Sequence, residues 1–359
     1  MTPMRLGVPV KLLANPELKS NDTRRWQSNP HLKVSLEYLD AILDDLDRRD
    51  IRMYRMSSDL APYATHPDMP QFHGMVRESA SELAAIGAKA RRLGIRLSFH
   101  PSQFIVLNSP DPALVEKSIA DLASQAEMLD RMELGPESVL VVHVGGTYEG
   151  RDPARARWAE CWEHRLPEHV KRRLVLENDD LRFGAADVLW IHERTGVRLI
   201  FDHQHFWCLN PEGLEMVPAF DRFMASWPAD GARPKIHFSS PRTELREVKR
   251  AIPGSRKKEV RRLAPVWTGH ADYVNPFEFA TFLRMVPHHV FDVMLEAKAK
   301  DLALVKLRAD LLRYAPDVAR RFGLDASALA AVEAEEQAAL EAANEDGVTI
   351  VEAGQDDAA

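Results

Sequence analysis

Short runs of apolar residues recur along the chain, and each run stops on a histidine, an aspartate or a glutamate. The runs are rich in Val, Ile and Leu, and segments with the apolar spacing of amphipathic helices separate them. This alternation is typical of buried parallel strands that are joined by helices. Six such runs occupy residues 96–100, 139–143, 174–177, 197–202, 235–237 and 290–296.

Two more apolar runs, at residues 5–8 and 51–56, bring the number of predicted strands to eight. Eight strands that alternate with helices form a (β/α)8 barrel of about 250 residues. The chain has 359 residues, which accommodates such a barrel together with additions. We therefore predict an α/β fold, a (β/α)8 TIM barrel, over residues 1–315.

Two segments fall outside this alternation, and they carry opposite charges. After the seventh strand, residues 242–262 form a basic insertion with nine Lys or Arg and three Glu. The Ala/Glu-rich C-terminal extension, residues 316–359, is acidic and has ten Asp or Glu and no Lys or Arg from residue 325 onwards. Because the net charge is −7, residues 1–324 carry +3. We expect the extension to be a solvated helix or disordered.

The cysteine count bears on the cellular compartment. Cys161 and Cys208 are the two cysteines of the chain, and their spacing excludes a CxxC motif and gives no disulfide framework. No apolar run reaches the roughly 18 residues of a membrane helix, and the N-terminal residues lack the pattern of a secretory signal. We therefore expect a soluble, cytoplasmic protein with no membrane association, and we see no sign of an obligate protein partner.

The polar residues that end the predicted strands are the candidate chemistry of the chain. All strands of a parallel barrel run in one direction, so residues at their C-terminal ends meet at one mouth. Nitrogen and oxygen ligands without thiolate suit Mn, Zn, Fe or Co, and their number suggests two or three ions. The candidate metal ligands are His100, His143, Glu177, Asp202, His205, His237 and Glu296, with His270 from the long loop after the seventh strand.

Each candidate has an ordinary structural alternative when it is taken alone. A histidine that ends an apolar run can be a hydrogen-bonded structural residue, and Glu177 or Asp202 can be a helix cap or an ion-pair partner. The combination favours a metal site, because crowded ionisable groups without a cation repel one another and are costly to desolvate. Lys235 lies two residues before His237 and faces the same side, where it must be neutral, modified or paired with a carboxylate.

A site with several metal ions points to phosphoester hydrolysis, since one ion can generate hydroxide near neutral pH while another stabilises the leaving oxygen. The basic insertion emerges on the same rim, where it can neutralise phosphates of a duplex; a solvated helical face is its alternative. Gln103 and Phe104 follow His100 and place an amide and a ring at the rim. This pair can enter a groove or stack on bases, with loop packing as the alternative.

Several linked motifs give the chain a specific resemblance to a known family. They resemble, in order, spacing and strand-end placement, the UV damage endonuclease family of bacterial repair enzymes over roughly residues 4–312. The acidic extension lies outside the resemblance. The motifs are 6–9 (LGVP), 64–67 (ATHP), 97–104 (LSFHPSQF), 143–146 (HVGG), 176–180 (LENDD), Asp202 with His205, 234–237 (PKIH) and 294–298 (MLEAK).

The resemblance implies a TIM barrel related to that of endonuclease IV and a Mn-type cluster of up to three ions. It implies that the eight candidates above hold the cluster and that Glu177 and Glu296 are needed for cutting. Lys235 matches a family lysine that can be carboxylated and then helps to hold the cluster. Gln103 and Phe104 match the pair that probes the helix at the lesion, although the family has a tyrosine at the position of Phe104.

The implied activity is incision of damaged double-stranded DNA directly 5′ to cyclobutane pyrimidine dimers, 6-4 photoproducts and some abasic sites, leaving a 3′-hydroxyl and a 5′-phosphate. Arg256, Lys257 and Lys258 in the basic insertion are the candidate phosphate contacts. Val8, like Phe104, stands where the family often has a tyrosine, which bears on lesion handling rather than on hydrolysis. Two other functions stay open, namely a metal-dependent sugar isomerase or epimerase on the same barrel, and a damage-binding protein without catalysis.

Overall fold

The computed structural model describes residues 2–228, 232–251 and 258–345. Within these ranges, eight parallel strands form one sheet and two further strands form a hairpin. The barrel strands are β1 (Leu6–Pro9), β2 (Met53–Arg55), β3 (Arg96–Ser98), β4 (Leu140–Val142), β5 (Leu174–Glu177), β6 (Arg198–Asp202), β7 (Lys235–Phe238) and β10 (Asp292–Leu295), and the hairpin strands are β8 (Arg246–Ala251) and β9 (Lys258–Leu263).

Hydrogen bonds join the barrel strands in the order β3, β2, β1, β10, β7, β6, β5 and β4, and each neighbouring pair is parallel. The ring closes between β3 and β4, where Phe99 pairs in parallel with Leu140. The Phe99 N–H donates to the Val139 carbonyl at 3.0 Å, and the Val141 N–H donates to the Phe99 carbonyl at 3.1 Å. The predicted (β/α)8 TIM barrel is confirmed.

Helices surround the barrel, and local sequence sets several of their ends. Asp111 caps the helix over Pro112–Arg131 by accepting a hydrogen bond from the Ala113 N–H at 2.9 Å, with Pro112 at the first position. The helical segment over residues 75–93 is interrupted at Ser79, whose φ and ψ of −103° and 21° leave the helical region. The helices are α1 (Leu32–Arg48), α2 (Met75–Glu78), α3 (Ala80–Leu93), α4 (Pro112–Arg131), α5 (Arg151–His164), α6 (Glu168–Lys171), α7 (Ala185–Thr195), α8 (His203–Cys208), α9 (Met216–Ala225), α10 (Pro276–Met285), α11 (Lys300–Tyr314), α12 (Pro316–Ala319) and α13 (Leu329–Glu345).

Side chains alternate between two cores along each barrel strand, as the period of a strand requires. On β5, Leu174 and Leu176 pack into the large core between the barrel and the helices. Val175 belongs instead to a small cluster inside the barrel, with Val139, Val141, Ile200, Trp227 and Ala232. Glu177 is two residues after Val175 and therefore faces the barrel interior at its C-terminal mouth.

The basic insertion forms an antiparallel hairpin of β8 and β9, with Arg246 opposite Leu263 and Ala251 opposite Lys258. Residues 258–263 are exposed throughout. The alternative of a helical face for this segment is therefore wrong, because the described part of the insertion pairs as strands. Arg256 and Lys257 lie outside the described residues.

Helix α13 occupies the middle of the acidic extension and is docked rather than fully solvated. Val332 and Ala339 on this helix are buried in the large core. Glu335 pairs with Arg49 at 3.3 Å, and Glu333 pairs with Arg313. The apolar stripe explains why this part of the extension, up to residue 345, does not remain free in solvent. None of the helices in the described ranges combines the length and the hydrophobicity that a membrane crossing requires.

Candidate metal centre

The structure brings all eight candidate ligands to the C-terminal mouth of the barrel. Most stand at the last position of a strand or one or two residues beyond it, while His205 lies in α8 and His270 in the loop that follows the hairpin. That loop is held at the mouth by a bridge between Pro241 and His270. We call the eight side chains the ligand ring: His100, His143, Glu177, Asp202, His205, His237, His270 and Glu296.

Glu177 is the centre of the ligand ring and its side chain is fully buried. One carboxylate oxygen, Oε2, lies 3.1 Å from His100 Nε2 and 3.6 Å from His143 Nε2. The other oxygen, Oε1, accepts a hydrogen bond from His237 Nδ1 at 2.8 Å and lies 3.7 Å from His205 Nδ1. One carboxylate therefore contacts imidazoles from four different elements of the fold.

Glu296 forms the second carboxylate of the ligand ring, on the opposite side of His237. Its Oε1 lies 3.3 Å from His237 Nδ1, and its Oε2 lies 4.0 Å from His270 Nδ1. Arg55, the last residue of β2, donates a hydrogen bond to Glu296 Oε1. Sequence reasoning missed Arg55, although it ends a strand as the ligands do, because arginine does not bind metals and was not among the residue types sought.

Asp202 and His205 are oriented by Asn178, which also went unremarked in the sequence. The Asn178 amide donates to the Asp202 carbonyl at 3.1 Å and accepts from the Asp202 N–H at 2.9 Å. Asp202 Oδ1 in turn accepts from the His205 N–H at 2.7 Å, which caps α8. His205 Nδ1 lies 2.9 Å from the Asn178 carbonyl, an arrangement that leaves Nε2 of His205 for a ligand.

The donor set fits divalent metal ions. Three overlapping groups have ligand atoms within 4.8 Å of one another: His100, Glu177 and His237; Glu177, Asp202 and His205; and Asp202, His237 and Glu296. Among the described residues, three buried atoms of the ligand ring have no hydrogen-bond partner, namely Asp202 Oδ2, His143 Nδ1 and His237 Nε2. Each such atom costs about 1–3 kcal/mol, which a bound cation can offset. The ligand ring can therefore bind metal ions.

Electrostatics keeps the carboxylates of the ligand ring ionised or nearly so. Burial alone raises the pKa of Glu177, but the charges of His237 and His143 hold that pKa well below its usual range. The same competition, with Arg55 as the main counter-charge, lowers the pKa of Glu296. Burial raises the pKa of Asp202 to about 6. Anionic oxygens are the form that binds cations, so the ring is charged for that purpose near neutral pH.

Lys235 lies below the ligand ring, inside the barrel, and is completely buried. Its Nζ donates to Ser98 Oγ at 3.2 Å, and no ion pair to a carboxylate is formed within the described residues. Burial, together with the nearby charges of Arg55 and Arg96, lowers the pKa of Lys235 far below its usual value. The sequence left three states open for Lys235, namely neutral, modified or paired with a carboxylate. No carboxylate pair is observed among the described residues, and the position is compatible with a neutral or a modified amine.

Residues around the ligand ring present rings and amides to solvent. Gln103 and Phe104 occupy a turn just beyond His100, and the Phe104 side chain is 76% exposed. Two tryptophans that sequence reasoning did not single out, Trp207 on α8 and Trp267 after the hairpin, are 61% and 60% exposed. Their exposure depends on loop geometry, for which the sequence carried no signal.

A cavity that is separate from the ligand ring lies on the outer helical layer. It has a volume of about 610 Å³ and is lined by residues that include Trp162, Trp190 and Arg194. Arg194 stacks on Trp190 at 3.6 Å from the ring centroid. No group of ligands converges there among the described residues, so cavity size alone does not mark the functional site of this barrel.

Together, the closed parallel barrel and the ligand ring define a TIM-barrel protein with a candidate metal site at its C-terminal mouth. The family model of UV-endonuclease UvdE matches residues 32–322. A UV DNA damage endonuclease of Bacillus pumilus (strain SAFR-032) is 34% identical over 264 residues, which cover 73% of this chain and 75% of the relative. This chain belongs to the UV-endonuclease family.

Two further comparisons agree. A UV DNA damage endonuclease of Bacillus cereus (strain B4264) is 32% identical over 285 residues, covering 78% of this chain and 81% of the relative. The crystal structure of SacUVDE superimposes with a TM-score of 0.70 at 29% identity, covering 86% of this chain and 98% of that chain. The resemblance read from the motifs is confirmed, and the family membership supports a nuclease for the repair of UV damage.

Proposed function

We propose that this protein is a metal-dependent endonuclease that nicks damaged double-stranded DNA at the phosphodiester immediately 5′ to the lesion. The substrates would be cyclobutane pyrimidine dimers, 6-4 photoproducts and some abasic sites, and the products a 3′-hydroxyl and a 5′-phosphate. The observation that carries the proposal is the convergence of eight candidate ligands, five histidines and three carboxylates, at the barrel mouth in a member of the UV-endonuclease family. The two cysteines, neither in a disulfide, support a cytoplasmic location.

The ligand ring would hold two or three divalent ions, Mn²⁺ in the first place, with Zn²⁺, Fe²⁺ or Co²⁺ suited to the same donors. Bound ions would supply Lewis-acid stabilisation of the phosphate and a water activated for attack. The protein's own part is to orient the ligands. Glu177 contacts four of the imidazoles. Arg55 orients Glu296 through a hydrogen bond. Asn178 orients Asp202 and His205 in the same way. Glu177 and Glu296 therefore belong to the catalytic machinery.

Lys235 is the third residue that we assign to catalysis, through carboxylation. A neutral amine adds CO2 to form a carbamate and releases one proton, and burial already favours the neutral amine of Lys235. The added carboxylate would convert a buried neutral amine into a further anionic oxygen ligand beneath the ring. Intact-protein mass should then rise by one CO2 in active, metal-loaded protein, and an unmodified lysine in such a preparation would refute the assignment.

Duplex binding would use the exposed rim around the ligand ring. Gln103 and Phe104 would probe the helix at the lesion; the position of their turn, directly after the candidate ligand His100, supports this role. The hairpin of β8 and β9 would contact backbone phosphates, with Lys258 exposed at the start of β9. We assign Arg256 and Lys257 to the same role from their place in the basic sequence, since they lie outside the described residues.

The test is incision of a labelled duplex that carries one cyclobutane dimer, with Mn²⁺ or with chelator, beside an undamaged duplex. We expect a metal-dependent cut at the bond 5′ to the dimer and none in the undamaged control. Reversal of Arg256, Lys257 and Lys258 to Glu should weaken binding of the same duplex and flatten its salt dependence. Binding of damaged duplex without any cut would favour the non-catalytic binder, and neither cut nor binding would favour a sugar isomerase.

A further inference from the structure

A small pocket adjoins the ligand ring, between the ends of β1, β2 and β10. Its volume is about 250 Å³, and its lining is Val10, Arg55, Ser57, Ser58, His100 and Glu296. His100 and Glu296 belong both to the pocket wall and to the ligand ring, so the pocket begins where the ring ends. Two serines and an arginine supply hydrogen-bonding groups to the remaining wall.

The backbone next to this pocket is held in an unusual conformation. Val10 has a φ of +58°, in the left-handed region that β-branched residues avoid. Two hydrogen bonds impose it, from the Val10 N–H to the Arg55 carbonyl at 2.8 Å and from the Tyr54 hydroxyl to the Val10 carbonyl at 2.5 Å. Strain that is maintained by neighbouring contacts is concentrated at functional sites, so the outlier draws attention to this pocket.

Several cations gather on the same side of the mouth, around Glu296. Within the described ranges, Lys11, Lys298 and Lys300 form no ion pair, and Arg55 pairs with Glu296 alone. Lys300 opens α11 with a φ of +50°. Burial, then the charge of Arg55, lowers the pKa of Lys300; Glu296 opposes this shift, and the charges of Lys11 and Lys298 add smaller contributions that lower the pKa further.

We infer that this pocket, with Arg55 in its wall and Lys300 at the start of α11 as a second cation, binds a backbone phosphate of the damaged strand next to the scissile phosphate. An anion there resolves the repulsion among the lysines and accepts hydrogen bonds from the arginine and the serines. The inference rests on the proposed function, because it takes the ligand ring as the seat of the scissile phosphate. By holding the phosphate next to the scissile one, the pocket would fix which phosphodiester of the damaged strand lies at the ligand ring.

The experiment uses the full chain and a set of dimer-containing duplexes, each with one neutral methylphosphonate at a position that flanks the incision bond. Single-turnover incision is measured for wild type, Lys300→Met, Lys300→Arg and the control Lys117→Met, an exposed lysine on α4. One flanking position should slow wild type about tenfold, since a charge-assisted hydrogen bond is lost. Lys300→Met should slow incision of the all-phosphate duplex by a similar factor.

The decisive result is the combination of variant and substrate. Lys300→Met should lose nothing further on the duplex with the sensitive methylphosphonate, because both changes remove the same contact. Lys300→Arg should recover most of the rate, Lys117→Met should equal wild type, and the salt slope of duplex binding should fall by about one for Lys300→Met. Losses that multiply, or the absence of a sensitive flanking position, would overturn the inference.

Two further results distinguish failure of this inference from misfolding of the variant and from failure of the proposed function. Should Lys300→Met fail to fold by thermal unfolding, Lys298→Met takes its place, with a smaller loss expected at the same methylphosphonate. Failure of wild type to cut the unmodified damaged duplex would overturn the proposed function, and this inference with it. Normal cutting by wild type with multiplying losses would overturn the inference alone.

Discussion

The two ends of the barrel interior both bury charged residues, but they treat those charges differently. At the N-terminal end, Asp292 is fully buried and its two oxygens accept hydrogen bonds from the Arg5 N–H at 2.9 Å, Arg96 at 3.0 Å and Arg233 at 3.3 Å. One nitrogen of Arg96 is the exception, since it is buried without a partner among the described residues. This end is a cluster in which one carboxylate is matched by several guanidinium groups.

At the C-terminal end, the ligand ring leaves donors and acceptors unmatched. The imidazoles around its carboxylates carry too few N–H protons to give every buried nitrogen and oxygen a hydrogen bond. Three buried atoms of the ring have no hydrogen-bond partner within the described ranges. The comparison teaches that burial of charge is not by itself a sign of function. A satisfied network is structural, whereas converging lone pairs that the protein does not satisfy indicate a ligand.

The first test of this contrast is Asp292→Ala, which should have the largest effect. The change leaves Arg96 buried without its counter-charge, so the free energy of unfolding of the metal-free protein should fall by about 3–5 kcal/mol in urea denaturation. Asp317→Ala is the control, because Asp317 pairs with Arg284 at 2.7 Å on the surface and should cost at most about 1 kcal/mol. Equal losses for the two variants would mean that the Asp292 cluster is not structural.

The second test is Glu177→Gln, which should remove metal binding while keeping the fold. Mn²⁺ at about 100 times its Kd should raise the free energy of unfolding of wild type by about 2.7 kcal/mol. This gain should largely disappear in Glu177→Gln, together with incision, because the carboxylate at the centre of the ligand ring is lost. Glu149→Gln, at an exposed ion pair with Arg157, should keep both. A full Mn²⁺-dependent gain in Glu177→Gln would remove Glu177 from the site.

The third test concerns pH, because titration of His205 removes one charge and leaves the packing intact. Burial lowers the pKa of His205, but Asp202 and Glu177 outweigh burial and raise it to about 10, against about 6.5 in an unfolded chain. Since the folded pKa is the higher one, the contribution of His205 to stability is complete below about pH 6.5 and is lost as pH rises through about 10.

Metal-free wild type and His205→Gln are the pair that measures this contribution. Their difference in free energy of unfolding should shrink steadily between pH 6.5 and 10, as His205 loses its proton in the folded state. A difference that stays constant over this range would show that His205 is not held as a cation by Asp202 and Glu177.

Much of this molecule could be predicted from the sequence, because the governing signals are local. A strand that ends in His, Asp or Glu can be recognised in a few residues, and parallel strands necessarily bring such ends to one mouth. The convergence of His100, Glu177 and Glu296 follows from that rule. The Asp292 cluster did not follow, since its arginines come from three distant segments and no local pattern connects them.

Other features depend on tertiary contacts that charge and composition conceal. Net charge identifies the basic insertion in the sequence, but it does not predict the structure of this segment. The pairing between β8 and β9 shows that the segment is a hairpin. In the acidic extension, two apolar residues, Val332 and Ala339, are too weak a pattern to predict a docked helix from the sequence. The helix docks because α11 supplies the facing surface. Arg55 and Asn178 act by orienting ligands, and this role is visible only in the assembled site.

The central claim is that the ligand ring is a multi-ion metal centre, and anomalous X-ray diffraction from crystals grown with Mn²⁺ tests it most directly. We predict two or three anomalous peaks inside the ligand ring, with Glu177 and Glu296 among the residues that contact them. The same crystals of Glu177→Gln should lose at least one peak. Wild-type crystals with Mn²⁺ bound elsewhere and no peak inside the ring would contradict the account.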